Sequence, residues 1–227
     1  MDKFFYLIWV LIFLLIWLFL FFRRKDTRRE MFLVSLLFGV GGVACEKTNI
    51  QDWWQPLTIT GTRIGIEDFL IGFAIGGIAA VIYEEIYHKR LREKQEKSVA
   101  PSDPGFHLLI FPLLYLTLFF LLEVGSFYSA VIAYGLCLGY ILLTRKDLIK
   151  DSFLSGIWML FIGISIYFIL FQIYPNFIKQ FWYLRENWYS KLLWGIPIGE
   201  YIFYFFTGAY IGPLYEFLKK RRLVAMR

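Results

Sequence analysis

Seven apolar stretches divide this chain, and each must cross a bilayer or be buried by something of similar size, because a helix spanning the hydrocarbon needs about 20 mostly apolar residues. They run Phe4 to Phe22, Met31 to Cys45, Glu67 to Ile86, His107 to Leu122, Phe127 to Leu143, Phe153 to Tyr174 and Leu193 to Leu218. Nothing alternates like a barrel strand, and backbone in lipid has to satisfy its own hydrogen bonds, so helices are expected throughout. A content of 59% hydrophobic residues exceeds what a soluble core of this length could use. The sequence predicts an all-α integral membrane protein with seven transmembrane helices. Met31 to Cys45 is short for a span, and Gly39, Gly41 and Gly42 predict close packing inside the bundle.

The third and seventh stretches carry one acidic signature twice. With Asp68 laid on Glu200, Phe73 meets Phe205, Gly76 meets Gly208, Tyr83 meets Tyr215, Glu84 meets Glu216 and Arg90 meets Arg222. Equivalent helices are then four spans apart and enter the membrane in the same direction, which predicts two parallel three-helix repeats joined by a linker helix. The divisions expected are residues 1–99, a loop and linker helix over 100–126, and residues 127–227. The Ser- and Pro-containing stretch Lys94 to Gly105 is the natural boundary.

Most of the 24 Lys and Arg follow the first, third, fifth and seventh stretches. Positive loops face the cytoplasm, so the N-terminus is expected outside and the C-terminus inside, in a cell membrane crossed many times. The net charge of +6 is dispersed among loops beside apolar spans and reads as topology and lipid contact, with no nucleic-acid partner. The first stretch has its basic cluster after the apolar core and no small-residue cleavage site, so it is expected to stay attached. Cys45 and Cys137 have no zinc or redox spacing and read as small core residues. Gly39-x-Gly41-x-x-Ala44 lies at a span end without the strand and turn of a dinucleotide site, and His88 and His107 are isolated. No cofactor and no metal is therefore expected. Self-association into a homo-oligomer is left open.

Carboxylates inside membrane segments are expensive and are the first functional candidates. Sixteen positions separate Asp68 from Glu84, roughly 24 Å on a helix, so each duplicated helix carries one acid near each membrane surface. Glu84, Glu85 and Glu216 directly precede basic clusters, which predicts solvation or pairing there. Asp68 and Glu200 open their helices and suit capping of free N–H groups. They also share a helical face with Gly72, Gly76, Ala79 and Tyr83, or with Tyr204, Gly208, Ile211 and Tyr215, and such small-residue faces turn inward. The Trp-rich outer segments, with Trp53, Trp54, Trp182, Tyr183 and Trp188, read as an interfacial belt, with a lid over a lipid substrate as the alternative.

Glu67-Asp68, then Pro197-x-Gly199-Glu200 with Phe203-Tyr204, each followed by the Tyr-Glu pairs Tyr83-Glu84 and Tyr215-Glu216, resemble the lycopene cyclase domain family of small membrane carotenoid cyclases, in its two-domain fusion form. The family pattern is roughly Pro-x-Glu-Glu-x-x-Phe-Phe, then Tyr-Glu. Gly65 stands where the pattern has its first proline, and Gly199 where the second copy has its first acid. The resemblance extends over essentially the whole chain.

It implies cyclisation of a linear carotene end group without net redox change, an isomerase or intramolecular lyase reaction on a lipophilic polyprenoid. Such chemistry needs an acid to protonate a terminal alkene, aromatic walls for the carbocation and a base to take a proton away. An apolar setting favours the neutral, donating form of a carboxyl group. The resemblance implies Glu67, Asp68 and Glu200 as acid and base, with Glu46 as a further candidate. Phe69, Phe73, Tyr201, Phe203, Tyr204 and Phe205 would bind substrate and stabilise the cation. A small transporter of 3+1+3 helices, with the acids as ion or proton sites, is the competing class.

Overall fold

The computed structural model describes residues 2–93 and 104–225 and is dominated by helices: α1 (Asp2–Arg23), α2 (Arg28–Asp52), α3 (Ile66–Ile86), α4 (Pro104–Phe120), α5 (Ser126–Thr144), α6 (Ile149–Ile173), the short α7 (Phe177–Phe181), α8 (Ile198–Ile211) and α9 (Leu214–Lys219). The expected boundary between residues 94 and 103 lies outside the described residues. Among the described residues five helices, α1, α2, α3, α5 and α6, are long and apolar enough to cross a membrane. The apolar part of α4 is shorter, and the last stretch is broken into α8 and α9 at Gly212-Pro213, where the proline cannot supply the N–H a continuing helix needs. The stretch expected from Leu193 begins as a hairpin instead. Strands β2 (Leu192–Leu193) and β3 (Ile196–Pro197) pair antiparallel, and Trp194 and Gly195 between them both have positive φ, the backbone of a tight two-residue hairpin turn.

The second helix is 25 residues long, well beyond the short span expected. Hydropathy undercounts it because Glu30, Glu46 and Thr48 are polar yet buried. Its glycines press against α3 as expected. A side chain at Gly42 would strike the Asp68 carbonyl, and one at Gly72 would strike the Phe38 carbonyl. In the same way a side chain at Gly208 would meet the Ser155 carbonyl at 2.5 Å, which locks α8 onto α6. Gly41 has no such neighbour. Small residues allow this approach, and dispersion then holds the helices without help from the hydrophobic effect.

The core runs as a ladder of rings from α1 across to the Trp-rich loops. Phe5 stacks on Phe177 at 4.6 Å and on Phe181 at 5.0 Å, and Trp9 meets Trp54 edge-on at 5.1 Å. At the opposite end β1 (Lys89–Glu93) pairs antiparallel with β4 (Arg221–Ala225), Lys89 facing Ala225. An all-helical reading misses this pairing. The two segments leave α3 and α9 at one end of the bundle, beyond the apolar helices, where backbone groups can pair between chains segments as readily as within one.

Candidate active site

A cavity of about 280 Å³ is lined by Glu46 of α2, Asp68 of α3 and Glu200 of α8. Its walls are aromatic: Tyr6, Trp9, Trp53, Trp54, Phe127, Tyr134, Trp182, Phe203 and Tyr204. Exposed Leu37 and Leu116 also reach its edge, so it opens toward the outer surface of the bundle between α2 and α4. Two loops close it on the side of the acids. Gln55 N–H donates to the Phe181 carbonyl at 2.7 Å and Tyr183 N–H to the Trp53 carbonyl at 3.0 Å, and Trp54 and Trp182 form a β-bridge.

Each acid is held by donors from a different part of the chain. Asp68 Oδ1 accepts the Tyr6 hydroxyl at 2.6 Å and Oδ2 accepts the Gly65 N–H at 2.7 Å. One oxygen therefore caps α3 while the other belongs to the cavity, so capping and a chemical role do not compete at this residue. Glu200 Oε1 accepts two indole N–H groups, from Trp53 and Trp182, both at 2.8 Å. Glu46 Oε2 accepts the Trp54 indole at 3.1 Å, and among the described residues none donates to its buried Oε1. The glycine at position 199 has a local reason: a side chain there would collide with the Trp53 ring, whose N–H serves the next residue, Glu200. Trp182→Phe is expected to lower stability by about 1–3 kcal/mol, because a buried carboxylate oxygen loses one of its donors; thermal unfolding indistinguishable from wild type would show that this N–H holds nothing.

Three tryptophans thus change role. Trp54 and Trp182 are buried and Trp53 half-buried, and the N–H groups of all three point at carboxylates, so they are not an interfacial belt; burial of an indole requires a partner for its N–H, and the acids supply it. Trp188 alone among these five outer residues fits the belt reading well, being 47% exposed.

The structure brings together Glu46, Asp68, Glu200, Phe203 and Tyr204 and places the other expected residues elsewhere. Glu67 turns away from the cavity and accepts the Ile59 N–H at 2.6 Å, bracing the loop before α3. Phe69 packs over Gly39, Phe73 against Trp17 at 5.0 Å, and Phe205 against Gly156 and Phe153. Tyr201 donates to the Leu193 carbonyl at 2.8 Å and steadies the hairpin. Sequence reasoning passed over Tyr6 entirely, since one tyrosine in a run of aromatics carries no signal until its hydroxyl is seen against Asp68.

Long apolar helices around an aromatic cavity lined by carboxylates define an all-α membrane protein. A family model for lycopene cyclase matches residues 3–86 and 125–218, and the chain belongs to that family. Membership sets it among carotenoid cyclases and implies a lipophilic polyprenoid substrate. No curated protein matches it, and no solved structure does.

Proposed function

We propose that this protein cyclises the end groups of a linear, lycopene-type carotene by acid catalysis at one composite site, and the observation that carries the reading is the meeting of Glu46 and Asp68 from the first matched segment with Glu200 from the second in a single aromatic cavity. Glu46 is the proton donor: its bare Oε1 is the oxygen on which a hydrogen can sit without displacing a donor. Proton transfer to the terminal alkene forms a C–H bond and a carbocation. The second alkene then attacks that cation, closing the ring and moving the charge, while the rings of Trp54, Trp9, Phe203 and Tyr204 face it and exclude water that would trap it. Asp68 or Glu200, each already accepting two hydrogen bonds, takes a proton from the ring. One proton enters and one leaves, so no redox cofactor is required.

A single site also follows from position. Glu46 and Tyr167 occupy corresponding places on α2 and α6, the nineteenth residue from each helix start, and Tyr6 before Arg24 corresponds to Phe127 before Arg145. The second segment thus offers no counterpart of the Glu46 carboxyl, and the hydroxyl beside Glu200 is that of Tyr167 rather than one at the place of Tyr6. A volume of about 280 Å³ lies near the lower end for ligand sites, about 300–1,000 Å³, and suits one end group, the remaining polyene leaving between α2 and α4 into lipid. We take α1–α3 and α5–α9 as two parallel repeats with α4 as linker, seven crossings in all, and the basic end as cytoplasmic.

Pigment chromatography of lycopene-accumulating cells expressing the chain tests the reading. Monocyclic or bicyclic carotenes are expected. Unchanged lycopene, with the protein confirmed in the membrane, would overturn it.

A further inference from the structure

At the end of the bundle away from Glu46, Asp68 and Glu200, Glu30 near the start of α2, Glu84 near the end of α3 and Glu216 in α9 converge, with one carboxylate oxygen of each within 4.8 Å of the other two. Solvation or pairing with the adjoining basic clusters was the expectation for Glu84 and Glu216. The structure corrects it: the three residues are 1%, 1% and 0% exposed, and among the described residues nothing donates a hydrogen bond to any of their six oxygens. Asp151, at 4% exposure, lies close enough to act electrostatically on Glu84 and Glu216 and keeps one oxygen without a donor. Glu85, by contrast, pairs with Arg23 as expected.

The nearby guanidinium groups are engaged with backbone and with other acids. Arg24 donates to the carbonyls of Glu84 at 2.7 Å and Lys89 at 2.6 Å and pairs with Asp26. Arg145 repeats the arrangement on the carbonyls of Glu216 at 3.3 Å and Arg221 at 2.7 Å and pairs with Asp147. Arg221 adds a further charge near Glu30 and Glu216's neighbour Tyr215. These arginines pin the ends of α3 and α9 and leave the carboxylate oxygens facing one another.

Buried, converging and donorless carboxylates are unstable as anions, since each repels the next in a medium that screens poorly. A hard divalent cation removes that repulsion and uses only oxygen ligands. At metal–oxygen distances of about 2.0–2.6 Å, two oxygens on one ion lie no farther apart than about 4.0–5.2 Å, and one oxygen from each of the three glutamates already lies within 4.8 Å of the others. We infer that Glu30, Glu84 and Glu216, with Asp151 beside them, form a binding site for one divalent cation of the magnesium, manganese or calcium class, tying α2, α3, α6 and α9 together at the end remote from Glu46, Asp68 and Glu200.

The test uses the full chain purified in detergent, stripped with EDTA and then titrated with Mn²⁺ while bound ion is counted by electron paramagnetic resonance. One Mn²⁺ per chain is expected. Thermal unfolding with saturating Mg²⁺, Mn²⁺ or Ca²⁺ should rise by about 5 °C or more for the ion that fits. Glu84→Gln and Glu216→Gln should each weaken Mn²⁺ binding by at least about tenfold, and Glu85→Gln should leave it unchanged. Asp151→Asn provides a milder variant with the same expected direction should the first two fail to fold. Wild-type protein that binds no stoichiometric ion and melts alike with EDTA and with each cation would overturn the site, as would glutamine variants that bind like wild type; the acids are then neutral and share hydrogens among themselves.

Discussion

Glu46→Gln is expected to lower cyclisation by at least about 100-fold, the usual scale for removing a positioned general acid or base, with membrane expression unchanged. The substitution keeps the shape of the side chain and an oxygen for the Trp54 indole, and removes only the transferable proton. A loss of that size corresponds to about 2.7 kcal/mol of barrier. Of Asp68→Asn and Glu200→Gln, the variant that removes the base is expected to abolish turnover as well, through loss of the group that accepts the ring proton. Their costs differ in kind: Asp68 also caps α3 through Gly65, so its variant should melt earlier, whereas Glu46 caps nothing. Cyclised pigment formed at the wild-type rate by Glu46→Gln would remove this residue as the donor and pass the role to Asp68 or Glu200.

Gly72→Val should destabilise the protein by about 3 kcal/mol or more, read as a lower melting midpoint in detergent. A Cβ at this position runs into the Phe38 carbonyl and comes within 3.2 Å of the Gly42 Cα. Both obstacles are backbone, which cannot rotate aside as a side chain does, so α2 and α3 must separate and lose their packing along the crossing. The Glu46 and Asp68 carboxylates ride on those two helices, and cyclisation should fall with stability. Gly135→Ala is the matching control. Position 135 in α5 has nothing within 4 Å of a Cβ, and alanine there should be neutral or stabilising by up to about 1 kcal/mol. Equal effects from both substitutions would mean that close helix approach is not what Gly72 provides.

Legibility varied with the kind of signal. The long apolar helices could be read to within a few residues, since lipid demands a minimum length of uninterrupted apolar chain. The α2 helix was misjudged because polar residues that a bundle buries look, in one dimension, like the end of a span: Glu46 and Thr48 lie in α2 and are buried. The last stretch was misjudged in the opposite sense, as apolarity hid a hairpin at Trp194-Gly195 and a break at Pro213. Asp68 and Glu200 could be singled out by their duplicated setting. Glu67, one residue from Asp68, could not be separated from it by sequence, because adjacent helical positions point about 100° apart and only the fold says which of the two faces the interior.

The sequence alone determined that this chain is a helical membrane protein, that acids open and close its third and seventh apolar stretches, and that its motifs are those of the lycopene cyclases. These are properties of composition, spacing and short patterns, which exist before folding. Tertiary structure alone decided that Tyr6 lies against Asp68, that Trp53 and Trp182 converge on one oxygen of Glu200, and that Glu30, Glu84 and Glu216 meet at the far end. Those partners are 18 to 186 positions apart. A carboxylate in an apolar bundle takes whatever donor or counter-charge the packing brings to it, and packing is settled by glycine contacts and ring stacking across the whole chain, which no local pattern encodes.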